Sequence, residues 1–216
     1  MKNILILGAN GRIAKLVRRR ILAETDYHIT SFLRNSRRLV TRMPERETVM
    51  TGDALNYADL LDAMQNQDIV YANLSGNVAK MATLILAAMK QTHLKRLIWI
   101  TGSGLYHETP DPFGTWVENV VGHENKENTR KAAKLIENSA VEYTIIRAAF
   151  MIDSDEIDYE LTQKGQPFKG TMISRESIAD LIIKIMNTPS KYKFESLGIA
   201  KPGTENGLEE IISKYY

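Results

Sequence analysis

Two stretches of this chain, Ile4-Leu5-Ile6-Leu7 and Leu97-Ile98-Trp99-Ile100, are apolar at every position instead of at every second one. A strand with one face in water alternates apolar and polar side chains. Unbroken apolar runs therefore belong to strands covered on both faces, as in a parallel sheet with helices above and below. These two are expected at the centre of the sheet. Further short runs rich in β-branched residues, at 28–33, 47–51, 69–72 and 143–147, alternate with segments of helical period at 11–24, 57–65, 78–91 and 119–139. With the usual right-handed crossovers, such alternation gives an α/β fold: a doubly wound parallel sheet flanked by helices.

The 216 residues suit a single domain, 1–216. After Arg147 the alternation fails. Residues 148–172 are polar and contain Gly165, Pro167 and Gly170, which reads as long loops. Together with 188–216 they are expected to form a small C-terminal substrate lobe. A helix at 175–186 opens after Ser174 with acidic residues in its first turns and stops before Pro189. A seventh strand is expected at 196–200, and a closing helix at 208–216.

Composition narrows the function classes. There is no cysteine, which removes disulfides, thiolate metal sites and cysteine nucleophiles together. His107-Glu108 and His123-Glu124 have no metal-ligand spacing, so no metal is expected. A net charge of +2 is too small for a general nucleic-acid binder. Of two basic clusters, Arg18 to Arg20 reads as a solvated helix face, and Arg34 to Arg42 bears on ligand binding. The N-terminus lacks the order of a secretion signal, and no apolar run approaches the ~20 residues that span a bilayer. The expected setting is cytoplasmic, without a membrane partner.

The first strand runs into Gly8-Ala9-Asn10-Gly11-Arg12-Ile13-Ala14, which opens the first helix, the context a dinucleotide fingerprint requires. Gly8 permits the tight turn, and Gly11 lets backbone approach a pyrophosphate. The amide groups at the helix start then face that anion, with Ala9, Asn10, Arg12 and Ile13 completing the loop. Ala14 stands where a third small residue allows helix and strand to pack closely. The fold expected is therefore Rossmann-type.

An NAD site carries a carboxylate at the end of the second strand to accept hydrogen bonds from the ribose 2′-hydroxyl. This chain has Leu33-Arg34-Asn35-Ser36-Arg37-Arg38 there. A carboxylate repels a 2′-phosphate and a guanidinium grips one bidentately. NADP (NADPH) is therefore expected over NAD, with Arg34 as the main contact and Arg37 or Arg12 assisting.

The stretches GANGRIA (8–14), GDALNYADLLDAMQNQDIVYANLSG (52–76), KRLIWITGSGLY (95–106), ENSAVEYTIIR (137–147) and SRESIADLI (174–182) occur in this order along the chain. Together they resemble the atypical short-chain dehydrogenase/reductase superfamily, in its NmrA-like, NAD(P)H-binding branch. The resemblance implies that Asp53 contacts the adenine with the Ala54 backbone beside it. It implies too that Leu74-Ser75-Gly76 passes along the ribose and pyrophosphate. Thr101 and Gly102, ending the fifth strand, complete the expected cofactor set.

Many members of that superfamily carry Tyr-x-x-x-Lys on the helix after the fifth strand, where the lysine lowers the tyrosine pKa. No tyrosine here has a lysine four residues later, and the expected pair falls near Asn125 and Thr129. Arg147 is followed by Ala148 where a proline is usual. Ser103, just beyond the fifth strand, and Tyr106 on the same loop are the substitute catalytic candidates, with His107 a further possible acid.

Two functions remain open. One is an NADPH-dependent oxidoreductase transferring hydride to a small carbonyl, quinone or flavin-like acceptor, with 103–118 as a substrate-covering loop. The other is a non-catalytic redox sensor or regulatory protein. A sugar-nucleotide epimerase needs a larger lobe than the chain past Arg147 offers. The helix at 78–89 is apolar almost all round and must be buried, within a monomer or across a homodimer.

Overall fold

In the computed structural model, residues 1–41 and 43–215 are described. Arg42, at the end of the second basic cluster, and Tyr216, at the end of the expected closing helix, lie outside them. The first half alternates strand and helix except between β2 and β3, which only a short turn at Ser36–Arg38 separates: β1 (Asn3–Leu7), α1 (Arg12–Glu24), β2 (His28–Leu33), β3 (Glu47–Thr51), α2 (Tyr57–Ala63), β4 (Ile69–Ala72), α3 (Val78–Gln91) and β5 (Arg96–Gly102). Then follow α4 (Phe113–Val121), α5 (His123–Glu137), β6 (Glu142–Ala148), β7 (Phe150–Ile152), β8 (Glu160–Thr162), β9 (Met172–Ser174), α6 (Arg175–Asn187), β10 (Glu195–Ala200) and α7 (Leu208–Tyr215).

The main sheet has the order β3-β2-β1-β4-β5-β6-β10-β8, parallel throughout except for β8, which runs antiparallel to β10 at one edge. Ile4 to Leu7 are each 0% exposed, as unbroken apolar strands require. One face packs on α1 and α6 through Ile4, Ile6 and Ile98. The other packs on α2, α3 and α5 through Leu5, Leu7 and Trp99. Helix α3 lies between α2 and α5 over the sheet, burying Val78, Met81, Ala82, Ile85 and Met89 within the chain. Its nearly all-round apolar character thus has an intramolecular cause.

Three expectations are corrected. The single helix at 119–139 is two, separated at Gly122, whose φ of +84° breaks the helical path. The loop at 103–118 ends in α4, since Phe113, Trp116 and Val117 recur at helical spacing. They pack with Phe150, Met172 and Ile211 as a small separate core. The long loops of 148–172 contain β7, which pairs in parallel with β9, and β8.

Of the Arg18 to Arg20 cluster only Arg19, with its side chain 54% exposed, stands on a solvated face. Arg18 is 8% exposed and bonds Glu47 at 2.6 Å, and Arg20 bonds Asp180 at 3.0 Å. Position in α1 turns these arginines onto β3 and α6, whose acids neutralise them.

Candidate cofactor and active site

Strand order reverses at β1, with β2 and β3 to one side and β4 onward to the other. The loops at the carboxyl ends of β1 and β4 therefore diverge. A cleft of about 590 Å³ opens there. It is lined by Gly8, Asn10 and Gly11 after β1, by Phe32 to Asn35 and Arg38 after β2, by Gly52 to Ala54 after β3, and by Asn73 to Ser75 after β4.

The two glycines are required by Asn73. Gly8 has φ +80°, and a Cβ on it would lie 2.2 Å from the Asn73 backbone oxygen. A Cβ on Gly11 would lie 1.9 Å from Asn73 Nδ2. Bare backbone thus lets the end of β4 close onto the β1–α1 turn. Helix α1 starts at Gly11 with no side-chain cap and no acidic residue in its first turn. The amides of Arg12, Ile13 and Ala14 have no acceptor within the helix and, among the described residues, no side-chain acceptor, which makes the helix mouth an anion site. Ala9 and Ile13 are buried with their side chains in the core, so they serve the mouth through backbone alone. Asn10 Oδ1 is buried with no hydrogen-bond partner among the described residues. Glycine cradle, uncapped helix and orphaned amide oxygen fit a bound dinucleotide.

After β2, Asn35 caps a tight turn at Ser36–Arg38 by accepting the Arg37 amide at 3.2 Å. This turn brings Arg38 to the cleft with Arg34, four residues back, and leaves Arg37 out of the lining. Both guanidinium groups are exposed, and neither forms an ion pair among the described residues. Asp53 lines the cleft while its carboxylate accepts the Leu55 amide at 3.0 Å, and α2 is capped by Asn56 instead. Gly76 lies beyond the lining, its carbonyl accepting from Asn128 at 2.6 Å. Arg12 is exposed and meets Asp153 at 3.4 Å, a carboxylate also held by Arg175 at 2.7 Å. Thr101 and Gly102 end β5, next along the sheet from β4, with open space beside Gly102.

Residues 8–189 match the model of a family described as NAD(P)H-binding. The chain belongs to the NAD(P)H-binding family of atypical short-chain dehydrogenases/reductases. A Rossmann-fold NAD(P)-binding family protein from Shigella flexneri is 42% identical, with a TM-score of 0.83 over 95% of this chain and 96% of that one. A wide-type short-chain dehydrogenase/reductase from Veillonella parvula, solved in complex with NADP, is 30% identical, with a TM-score of 0.90 over 94% and 96%. A search of curated proteins returned no match.

Where many short-chain dehydrogenases carry tyrosine and lysine, α5 of this family member presents Asn125, exposed, and Thr129, whose hydroxyl bonds the Lys126 carbonyl at 2.7 Å. The residues one step on turn inward instead. Lys126 Nζ donates to the Ser103 carbonyl at 2.5 Å, and Arg130 donates to the Gly104 carbonyl at 3.0 Å and to Glu118 at 2.7 Å. Ser103 is 2% exposed and its amide extends the β5–β6 ladder to Ala148. Tyr106 is set apart from the cleft: its hydroxyl bonds Glu137 at 2.6 Å and Ser196 at 2.8 Å. Burial, then Glu137, push this phenol well above its ordinary pKa.

Asn73, Arg38, Lys126 and Arg130 escape sequence reasoning. Arg38 had a readable signal, since it follows Arg34 by one helical turn. The others have none, because which face of α5 meets the β5 loop, and how closely the end of β4 approaches the β1–α1 turn, are matters of packing.

Proposed function

We propose that the protein is an NADPH-dependent oxidoreductase acting on a small carbonyl, quinone or flavin-like acceptor. The observation that carries this reading is the pair Arg34 and Arg38 lining the cleft after β2, where an NAD site places a carboxylate. The NADP bound by the similar Veillonella protein supports it.

In this reading the amides at the mouth of α1 hold the pyrophosphate, Arg34 and Arg38 hold the 2′-phosphate, and Asp53 and Ala54 flank the adenine. NADPH when bound supplies the hydride. The chain then has only to hold the acceptor at the end of β5, where Thr101, Gly102 and Ser103 stand. With the Tyr106 hydroxyl committed to Glu137 and Ser196, the proton for the acceptor comes from Ser103 or water. The protein works in the cytoplasm as a monomer or homodimer.

The absence of tyrosine and lysine at 125 and 129 favours a second reading, a non-catalytic sensor of the NmrA-like kind. Mixing the purified protein with NADPH and a panel of quinones, flavins and aldehydes separates the two. Oxidation above the protein-free rate establishes the enzyme; tight cofactor binding with no turnover establishes the sensor.

A further inference from the structure

Beneath α4, a second pocket of about 340 Å³ is bounded by α5 and the loop after β5. Two of its lining groups are in unusual states. Lys126 is 4% exposed and forms no ion pair among the described residues, its ammonium having only the Ser103 carbonyl as hydrogen-bond partner. Thr109 Oγ1 is buried with no hydrogen-bond partner among the described residues. A buried cation with no carboxylate in direct contact, only Glu118 and Glu108 at longer range, and a buried hydroxyl without a partner are both costly, and a bound anion that accepts from each relieves both costs.

The remaining charges of the lining are already committed. Glu118 is taken by Arg130, and Asp111 accepts the Thr115 amide at 3.0 Å and its hydroxyl at 2.7 Å. With Glu118 neutralised by Arg130, Asp111 is the carboxylate left in the lining, and it disfavours a doubly charged phosphate more than a singly charged anion at Lys126. Burial pushes the Lys126 ammonium below its ordinary pKa, with Glu118 opposing, so an arriving anion meets a cation that gains from it.

We propose that this pocket binds small monocarboxylates through the Lys126 ammonium and the Thr109 hydroxyl. The anion site stands on these side chains alone and is separate from the acceptor position at the end of β5. The ligand class it names is a small monocarboxylic acid, of which pyruvate, phenylpyruvate and benzoate are probes.

The test is calorimetric titration of the full chain, with and without NADPH, using pyruvate, phenylpyruvate and benzoate against their methyl esters. Binding of at least one acid about tenfold or more above its ester is expected, the scale of a charged hydrogen bond. Lys126→Met should abolish that preference and Lys126→Arg should retain it. Equal affinity for acid and ester, no binding of any acid, or an undiminished preference in Lys126→Met overturns the proposal. The wild-type comparison decides even if a variant fails to fold. Failure of NADPH to bind sinks the oxidoreductase reading while leaving the anion site standing, so the two are told apart.

Discussion

Arg147 and Glu108 form an ion pair of 2.6 Å with the arginine side chain 0% and the glutamate 6% exposed. The same carboxylate accepts the Gly104 and Tyr106 amides at 3.0 and 2.8 Å, and the guanidinium reaches Ser196 and Thr162. One buried pair thus fastens the loop after β5 to β6, β10 and β8. Glu108→Gln leaves Arg147 charged and uncompensated. It should cost about 3–5 kcal/mol, read as a fall in the denaturant midpoint.

The pair also predicts acid sensitivity. Burial pushes the Glu108 carboxyl up, but its own amide, the Arg147 charge and the Tyr106 amide outweigh it and hold it below its ordinary 4.5. A depressed carboxyl contributes stability that is present above the unfolded pKa and lost as pH falls through the folded one. Stability should therefore drop below about pH 4.5. The drop should be shallower in Glu108→Gln, as urea denaturation across that range would show.

Gly8 and Gly11 both give way to Asn73, but to different parts of it. A Cβ on Gly8 strikes the Asn73 backbone, and on Gly11 it strikes the side-chain amide. Both Gly8→Ala and Gly11→Ala should destabilise, the former by at least ~1–2 kcal/mol from its left-handed backbone alone. Adding Asn73→Ala should restore stability to Gly11→Ala and not to Gly8→Ala. Equal rescue of both would refute the assignment.

At the cleft, Arg34→Glu and Arg38→Glu should each weaken NADPH by roughly 10–100-fold, the scale of a charged hydrogen bond, and NADH far less. Equal losses for the two coenzymes would show that neither arginine reads the 2′-phosphate.

Tyr106→Phe separates a structural hydroxyl from an essential acid. Loss of a general acid costs about 10²–10⁴ in rate. With its hydroxyl bonded to Glu137 and Ser196, Tyr106→Phe should instead keep kcat with the best acceptor within about threefold, far short of that loss, and lose about 1 kcal/mol of stability. A rate collapse with unchanged stability would return Tyr106 to the chemistry.

What was legible in the sequence was local. The unbroken runs at Ile4 and Leu97 mark strands covered on both faces, and each lies inside the sheet. Gly8 and Gly11 mark the turn because φ and bulk are properties of a single residue. Helix α4 was hidden because Pro110, Pro112 and Gly114 signal a loop over the residues whose spacing signals a helix.

The sequence by itself determined the alternation of strands and helices, the glycine turn into an uncapped helix, and the arginines that replace an acid after β2. Only the tertiary structure decided that Arg38 and not Arg37 lines the cleft, and that Asn73 closes on the glycines. It also decided that Lys126 lies buried on the Ser103 carbonyl, and that the Tyr106 hydroxyl is spent on residues 31 and 90 positions away. The first set depends on neighbours in the chain, whose geometry each residue carries with it; the second depends on which helix face and which strand end meet, and that is set by packing the whole sheet at once.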